Sequence, residues 1–451
     1  MTFGRPSVAA LAGFKGWSAL GHRNYRLYFG GQLVSLVGTW MMSVAQSWLV
    51  LELTGNAFIL GLVAAVQFTP VLILGLFGGI IADVWPKRRV LVLTQGFAAI
   101  LSFAMTILVF TGVVQVWHVF VIALLLGIRN SVDMPTRQAF AVEMVGREDI
   151  GNAVALNSAI FNSARVVGPA LAGLAIGVFG VALAFFIDAV SYLAVIGALL
   201  AMDEDALHVR GGIERPDSVS EVTNHLREGL GYVRSTPIVL LAIAVIGIVS
   251  TFGMNFSVVM PPLTQLVLHS DATGYGFLMA ATGVGSLLAA LTIAFSGKTG
   301  PLIIGAGALL LGIAEVVVGV SRSYGLSLVA MFFAGVGAIS MAATCNTVIQ
   351  LTVPDRLRGR VMSVYTTVFA GSTPIGGPLM GWVASAYGPD ISIGIGGLAS
   401  GIAGIAALGW LRGHRAVADR ASAAIGHRSV AAASAEGAEV ASATLSRVAP
   451  R

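Results

Sequence analysis

The sequence predicts an all-α integral membrane protein with twelve transmembrane helices in two pseudo-symmetric six-helix bundles. Of the 451 residues, 56% are hydrophobic and 10% are charged, whereas an average soluble domain has about 25% charged residues. Twelve apolar runs come close to the roughly 20 residues that a helix needs to cross a bilayer. Basic residues gather in alternate connections between these runs. This composition excludes a soluble enzyme and a disordered chain.

The predicted spans are continuous apolar runs, unlike the alternating segments of about ten residues that form membrane β-barrels. No cleavable signal peptide is expected, because the segment before residue 27 is polar and the first run is long enough to span. The spans cover residues 27–51, 58–82, 90–112, 117–135, 153–178, 180–201, 238–262, 274–296, 301–320, 325–349, 362–386 and 391–411.

The distribution of Lys and Arg predicts that both termini lie in the cytoplasm. Of the 26 basic residues, 23 fall in the terminal segments and the even-numbered connections. Arg129 and Arg165 fall within spans, and Arg322 alone occupies the remaining connections. The sequence therefore predicts a multi-pass protein of the inner (cytoplasmic) membrane. The net charge of +5 then reflects topology, and no nucleic-acid partner is expected.

Five segments follow from this pattern. We expect a cytoplasmic N-terminal segment (1–26), a first six-helix bundle (27–201), a cytoplasmic linker (202–237), a second six-helix bundle (238–411) and a disordered, Ala/Ser-rich cytoplasmic tail (412–451). Apolar residues at helical spacing predict an amphipathic linker helix on the membrane surface. A solvated linker is the alternative. The apolar residues are Val219, Val222, Leu226, Leu230 and Val233.

The two predicted bundles contain similar segments at a nearly constant separation. Val145 and Val353 begin matching polar segments 208 residues apart, and Pro169 and Pro378 lie in matching Gly/Pro segments 209 residues apart. This separation favours an internal duplication. Secondary transporters are commonly built from such repeats, with a substrate site near the bilayer midplane. The sequence therefore favours a transporter over a channel, since no repeated selectivity-filter segment is evident.

The connection after the second span has a glycine, an aspartate four residues later and then three basic residues. This pattern resembles the loop signature of the major facilitator superfamily, although Val84 and Pro86 stand where a basic residue and a glycine are usual. The residues concerned are Gly79, Asp83, Lys87, Arg88 and Arg89.

Segments 22–33 and 228–237 resemble a narrower branch, the macrolide-efflux and enterobactin-exporter-like proteins, or transmembrane secretion effectors. The resemblance extends from about residue 20 to 410. It implies alternating access and proton-driven export of amphipathic small molecules. A siderophore exporter of the same branch, or a lipid-handling or uptake member of the fold, is the alternative. We expect a monomer surrounded by membrane lipids, with the proton as coupling ion and with no cofactor or metal.

The loop motif predicts a gate. Asp83, at a cytoplasmic helix end, could accept hydrogen bonds from the N-terminus of the eleventh helix, where partial positive charge gathers. Gly79 would let backbones approach closely, and the three basic residues would hold the loop near anionic headgroups. The alternative is an ordinary basic loop without a gating role.

Six ionisable residues lie within or at the edge of spans, where each charge costs roughly 2.5–3.5 kcal/mol on insertion scales. Three of them, at one-turn spacing on the fourth helix, predict an ion-pair network. On the fifth helix, Arg165 is expected to pair with Asp188 or Asp133. Asp188 and Glu315 could each carry a proton or simply be hydrogen-bonded to a neighbouring helix. The six residues are Arg129, Asp133, Arg137, Arg165, Asp188 and Glu315.

The segment that follows Arg165 resembles the superfamily's antiporter motif, and helix packing alone is the other interpretation. Its residues are Gly168, Pro169 and Gly173. Aromatic and amide side chains within spans suit bulky amphipathic substrates, although such residues also populate membrane interfaces. The candidates for a substrate cavity are Trp40, Gln46, Gln67, Asn157, Phe161, Asn162 and Asn255.

Several other classes of protein are excluded by missing motifs. The chain has no Walker loop for ATP, and it has no nucleophile turn or zinc-protease motif. We therefore expect no enzyme activity. The single cysteine, Cys345, excludes a disulfide framework and a cysteine-based metal cluster.

Overall fold

The computed structural model describes residues 17–146, 148–208, 219–296, 300–417 and 419, and in these residues it contains helices and no strands. A short 3₁₀ turn at Ser18–Gly21 comes first. The α-helices are α1 (Arg23–Thr54), α2 (Ala57–Val84), α3 (Lys87–Phe110), α4 (Val116–Val145), α5 (Ile150–Phe179), α6 (Val181–Leu200), α7 (Val219–Ser235), α8 (Pro237–Phe252), α9 (Phe256–Leu266), α10 (Ala272–Ser296), α11 (Leu302–Val320), α12 (Tyr324–Thr352), α13 (Asp355–Tyr387) and α14 (Pro389–Gly413).

Within the described residues, eleven helical segments are long and apolar enough to cross a membrane. The predicted all-α membrane class is therefore confirmed, and the count of twelve spans stays a prediction. The predicted run 362–386 lies in α13, which is 33 residues long but is not among the eleven. Its first turns contain four charged residues, and hydroxylated and small residues follow them, so its mean hydropathy is low.

Two helices differ from the predicted spans. The fourth predicted span ends at residue 135, whereas α4 continues through Pro135 to Val145. The seventh run was expected to be continuous, yet it is divided between α8 and α9 by a break at residues 253–255. Pro261 and Pro262 lie inside α9.

The described residues form two compact units. The first comprises those within Met1–Ala45 and Ile73–Glu214, and the second comprises those within Gln46–Leu72 and Arg215–Arg451. In the first unit, α3 packs along α6 and α4. A core of large side chains joins the start of α1 to α4 and α5, and Tyr25 donates a hydrogen bond to the Ala153 carbonyl oxygen at 2.8 Å.

The second unit is organised around α11, which packs on both α12 and α14. Glycines make this close approach possible. A Cβ added at Gly312 would lie 2.6 Å from the carbonyl oxygen of Gly397, and one added at Gly404 would lie 2.5 Å from the amide nitrogen of Leu309. These helices therefore contact one another backbone to backbone, as small residues allow in membrane proteins.

A helix is present at Val219–Ser235, within the segment expected to be the linker, and its place on the membrane surface stays a prediction. It packs against α13: a Cβ added at Gly229 would lie 2.7 Å from the Arg360 carbonyl oxygen, and Val233 is buried. Glu228 pairs with Arg360. The linker helix therefore packs on another helix of the protein, while its apolar Leu230 side chain is exposed. Residues 209–218 of the linker and the tail after residue 419 lie outside the described residues, so the disorder expected of the tail stays a prediction.

Candidate functional site

A row of ionisable side chains on α4 lies inside the first unit. The predicted ion pairs are present: Asp133 accepts a hydrogen bond from Arg137 and lies 3.3 Å from Nη2 of Arg129. The Oδ1 atom of Asp133 also accepts hydrogen bonds from the Thr94 hydroxyl (2.6 Å) and the Gln95 amide (2.7 Å) of α3. Asp133 is only 2% exposed. These contacts satisfy a buried carboxylate, as burial of a charge requires.

Asp188 lies in the middle of α6 and is fully buried. Its Oδ2 atom accepts a hydrogen bond from the Ser102 hydroxyl of α3 at 2.6 Å, while Oδ1 has no hydrogen-bond partner in the part of the chain that the structure describes. Tyr192, one turn later on α6, lies under the Arg129 guanidinium, with 5.6 Å from Cζ to the ring centroid. The α4 row and Asp188 therefore belong to one polar cluster.

Arg165 does not make the expected ion pair. Among the described residues it has no salt bridge, because Asp133 is taken by two other arginines and Asp188 by Ser102. The Arg165 Cζ atom instead lies 5.8 Å from the centroid of the Trp40 ring. Phe161 packs edge-on against the same indole, with centroids 5.8 Å apart. A partly buried cation over an aromatic ring is a favourable cation–π arrangement.

The Gly-Pro segment positions this aromatic group. A Cβ added at Gly168 would overlap the Trp40 Cβ and lie 2.9 Å from the Val37 carbonyl oxygen, so glycine lets α5 approach α1 here. Pro169 is buried inside α5, which continues through it, and Gly173 is buried one turn later. The packing interpretation of this motif thus has direct geometric support. An antiporter role stays a prediction.

The loop motif divides into buried and exposed parts. Lys87 forms a salt bridge with Glu143 at 2.7 Å. Arg88 donates to the carbonyl oxygens of Leu199 and Leu200 at the end of α6, the latter at 2.9 Å. Two of the three basic residues expected at lipid headgroups are therefore bound to protein. Arg89 and Asp83 are exposed.

The close backbone approach expected at Gly79 occurs one residue earlier in the first unit. A Cβ added at Gly78 would overlap the Ser131 carbonyl oxygen, whereas one added at Gly79 would meet nothing within 4 Å. The sequence contains both glycines, and only the helical phase decides which of them faces α4.

The remaining substrate candidates of the first unit make local contacts. Asn157 accepts a hydrogen bond from Tyr25 at 3.1 Å, and Asn162 donates to the Ser158 carbonyl oxygen at 2.8 Å. Asn157 therefore has a structural partner in another helix. Among the described residues, the Asn162 side chain is hydrogen-bonded only within its own helix.

Three substrate candidates and the buried carboxyl group of Glu315 lie in the second unit. The Gln46 amide donates to Gln67 Oε1 at 3.1 Å, so these two predicted residues do meet. Asn255, 5% exposed, lies in the break between α8 and α9 and donates to the Thr251 carbonyl oxygen at 2.7 Å. Glu315 is fully buried, and its only described hydrogen bond comes from Ser400 at 3.5 Å.

Sequence reasoning missed the partners of the acidic groups. Gln95 and Ser102 are seven residues apart in α3 and therefore share one helical face, where each binds a different aspartate. A polar face within an otherwise apolar run indicates that its side chains bind buried polar groups of a neighbouring helix. The spacing of four residues between Asp188 and Tyr192 likewise places these two side chains on one face of α6. Within the described residues, no group of three His, Cys, Asp or Glu side chains could hold a metal ion.

Apolar helices with buried ionisable side chains are typical of membrane transporters, and the family model that matches this chain belongs to the major facilitator superfamily of transporters. Within it, the chain belongs to the transmembrane secretion effector family, whose model matches residues 14–433. The resemblance inferred from the loop signature is thereby confirmed. The chain is a multi-pass integral membrane protein, and its family and structural neighbours are transporters.

Individual relatives are distant. The multidrug efflux pump Tap of Mycolicibacterium fortuitum is 28% identical over 368 residues, which cover 79% of this chain and 88% of that protein. The staphyloferrin A transporter of Staphylococcus aureus (strain NCTC 8325 / PS 47) is 23% identical over 376 residues, which cover 80% and 90%. A crystal structure of a POT family transporter in complex with 5-aminolevulinic acid has a TM-score of 0.69 at 12% identity, covering 85% of this chain and 95% of that one. This likeness shows the fold.

Proposed function

We propose that this transporter exports bulky amphipathic small molecules from the cytoplasm across the inner membrane in exchange for protons. The observation that carries the proposal is the buried polar cluster of the first unit. The helix α4 is long and apolar enough to span a membrane, yet it contains three charged residues: Arg129, Asp133 and Arg137. Ionisable groups within a membrane-spanning helix are energetically costly. Where they occur they commonly mark a functional site, and proton relays are a frequent example.

The substrate class is supported by two features of the chain. Trp40, Phe161 and Arg165 place two aromatic rings and a cation side by side, which suits a large molecule with apolar and polar parts. One relative, 28% identical over most of its length, is named a multidrug efflux pump. Both point to export of drug-like compounds.

A second substrate class, siderophores, is favoured by Arg165 in particular. Its guanidinium has no carboxylate partner among the described residues, and it is planar with donors that suit a carboxylate of a bound molecule. One relative is named a staphyloferrin A transporter. A carboxylate group of an anionic chelator would pair with the Arg165 guanidinium.

Flux in proteoliposomes decides between these possibilities. We expect ethidium, an amphipathic cation, to accumulate when an acidic lumen is imposed and to leak out when a protonophore is added, with no ATP present. Labelled staphyloferrin A tests the second class in the same vesicles. Accumulation of either compound without any ion gradient would contradict proton coupling. Accumulation of staphyloferrin A alone would favour the siderophore class.

The gate proposal concerns Asp83, which is exposed near the end of α2. If it docks on the N-terminus of α13, Asp83→Asn should change the ratio of inward-open to outward-open states several-fold, because helix-terminus interactions contribute about 0.3–1 kcal/mol. Labelling of a cysteine placed at residue 89, in a chain with Cys345 replaced, would measure this ratio. Equal labelling rates with and without the substitution would exclude Asp83 as a gate.

A further inference from the structure

Two buried carboxyl groups have matching surroundings in the two units. In the first, Asp188 of α6 accepts a hydrogen bond from Ser102 of α3 at 2.6 Å. In the second, Glu315 of α11 accepts one from Ser400 of α14 at 3.5 Å. In each pair the other carboxyl oxygen is buried and has no hydrogen-bond partner among the described residues. Such orphaned oxygens call for an explanation in each case.

A glycine lies beside each acidic residue. A Cβ added at Gly38 of α1 would overlap the Ser191 hydroxyl of α6 and lie 3.1 Å from the Cα atom of Asp188. One added at Gly253, just after α8, would lie 3.1 Å from Oε2 of Glu315 and would overlap the Ser400 hydroxyl. In the first unit the glycine thus lets α1 approach the α6 backbone at Asp188, and in the second it lies directly against the carboxyl–serine pair.

The positions correspond along the chain. Ser102 and Glu315 are 213 residues apart, Asp188 and Ser400 are 212 apart, and the two glycines are 215 apart. These separations are close to the 208 and 209 residues between the similar segments noted in the sequence. The two pairs therefore occupy equivalent positions of the predicted duplication, with the acid and the hydroxyl exchanged between the two helices.

The pairs differ in the charges around them. Arg129 and Tyr192 are both near enough to Asp188 to interact with it. The buried Nη2 atom of Arg129 lies 3.3 Å from Asp133. Counting Arg129, Arg137 and the ionised Asp133, the cluster has a net charge of +1, which an ionised Asp188 would cancel. The other charged residues of the helices that pack on α6 lie at the ends of α1 and α3, apart from Arg165, which lies over Trp40.

Among the described helices that pack on α11, none places a cation beside Glu315. The helices packed on α11 are α14, α12 and α8, and of these only α14 contains charged residues, Asp390 and Arg412. Each is at least ten residues from Ser400, or about 15 Å along a helix that rises 1.5 Å per residue. An ionised Glu315 would be an unpaired buried charge, which is strongly unfavourable.

We propose that Asp188 is the carboxyl group that binds and releases the coupled proton, and that Glu315 is its permanently protonated counterpart. The proton enters on the orphaned oxygen of Asp188 and leaves as the anion pairs with Arg129. The inference rests on the proposed proton coupling, and it states which carboxyl group performs it.

Infrared difference spectroscopy tests the assignment without any substrate. The purified protein in lipid vesicles is compared in acidic and alkaline buffer, and the C=O stretching band of protonated carboxyl groups is recorded. We expect Asp188→Asn to remove a band that titrates, and Glu315→Gln to leave every titrating band in place. A titrating band that survives Asp188→Asn at full size, or that disappears in Glu315→Gln, overturns the proposal. If Asp188→Asn does not fold, Asp188→Glu replaces it, and the titrating band should then persist at a shifted frequency; an unshifted band overturns the proposal.

Flux measurements separate this inference from the proposed function. With ethidium, Asp188→Asn should lose accumulation driven by a pH gradient and keep exchange without a gradient, whereas Glu315→Gln should keep both. Ser102→Ala and Ser400→Ala are matched controls: the first should shift the pH profile of transport, and the second should not. Gradient-driven accumulation retained in Asp188→Asn overturns the assignment. If the wild type transports nothing by a proton gradient, the proposed function fails, and the infrared result still decides which carboxyl titrates.

Discussion

The α3–α6 interface of the first unit and the α11–α14 interface of the second are built from different chemistry. Between α3 and α6, the contact includes a serine–aspartate hydrogen bond, and the arginine pair of α4, Arg129 and Arg137, belongs to the same polar cluster. Between α11 and α14, glycines repeat every seventh residue, at Gly305, Gly312 and Gly319 of α11. The partner backbone lies within about 3 Å of each added Cβ. The first interface is distinguished by its polar contacts with charged groups, and the second by close backbone packing around one serine–glutamate hydrogen bond.

This difference indicates a division of tasks within one chain. A glycine interface is stable without any change of protonation, so it suits a rigid support. A polar cluster with an orphaned oxygen responds to the gain or loss of one proton. The following predictions test whether the two interfaces fail in different ways, and they proceed from the largest expected effect to the smallest.

The largest effect is expected for Asp133→Ala. It leaves Arg129 and Arg137 buried without their carboxylate, and removing one partner of a buried pair costs about 3–5 kcal/mol. The matched control is Asp390→Ala, which breaks an ion pair whose arginine is 61% exposed and should cost about 0–1 kcal/mol. Thermal unfolding can be followed with a thiol-reactive dye, because the only cysteine, Cys345, is fully buried. Equal losses in the two variants would mean that the cluster is not a stabilising network.

The glycine interface should respond to a single methyl group. In Gly312→Ala the new Cβ would lie 2.6 Å from the Gly397 carbonyl oxygen, and overpacking of this kind costs about 1–3 kcal/mol. Gly409→Ala on α14 meets nothing within 4 Å and should be neutral or stabilising, since alanine favours helix over glycine by about 1 kcal/mol. The same dye assay measures both. A stable Gly312→Ala variant would contradict the close-packed interface.

Hydropathy predicted most of the helices because spanning segments are long and their apolar content is set by the bilayer. It also predicted a helix at α13, whose Ser, Thr and Gly residues lower the apolar content, and it missed the α8–α9 break around Gly253. The ion pairs of α4 were predictable, since Arg129, Asp133 and Arg137 are related by the helical repeat alone. The partner of Arg165 was not, because it depends on how α5 packs against α1. Likewise, the pairing of Asp188 with Ser102 depends on the register of α3 against α6.

An intermediate effect is expected for the aromatic group of the first unit. Arg165 lies over Trp40, and such a contact contributes about 0.5–2 kcal/mol. A double-mutant cycle with Arg165→Ala and Trp40→Leu should give a coupling energy in that range for ethidium transport, expressed as the logarithm of the rate ratio. Arg165→Lys should keep part of the activity, because lysine retains the charge and loses the planar stacking. Additive effects of the two substitutions would show that the rings and the cation act independently.

The smallest effect is expected at the loop motif, which lies outside the polar cluster. There a basic residue bound to the end of α6 can be compared with an exposed one. Arg88 donates to the last carbonyl groups of α6 and pairs with Glu204. A cation at a helix C-terminus stabilises it by about 0.3–1 kcal/mol, so Arg88→Gln should lower stability by that amount. Arg89→Gln, at an exposed position, should change stability hardly at all and serves as the control. Hydrogen exchange of the last turn of α6 is the sharper measurement, since faster exchange should be confined to that turn. Exchange that increases equally in both variants would indicate that these arginines act through lipid headgroups, as the sequence predicted, and not through the end of α6.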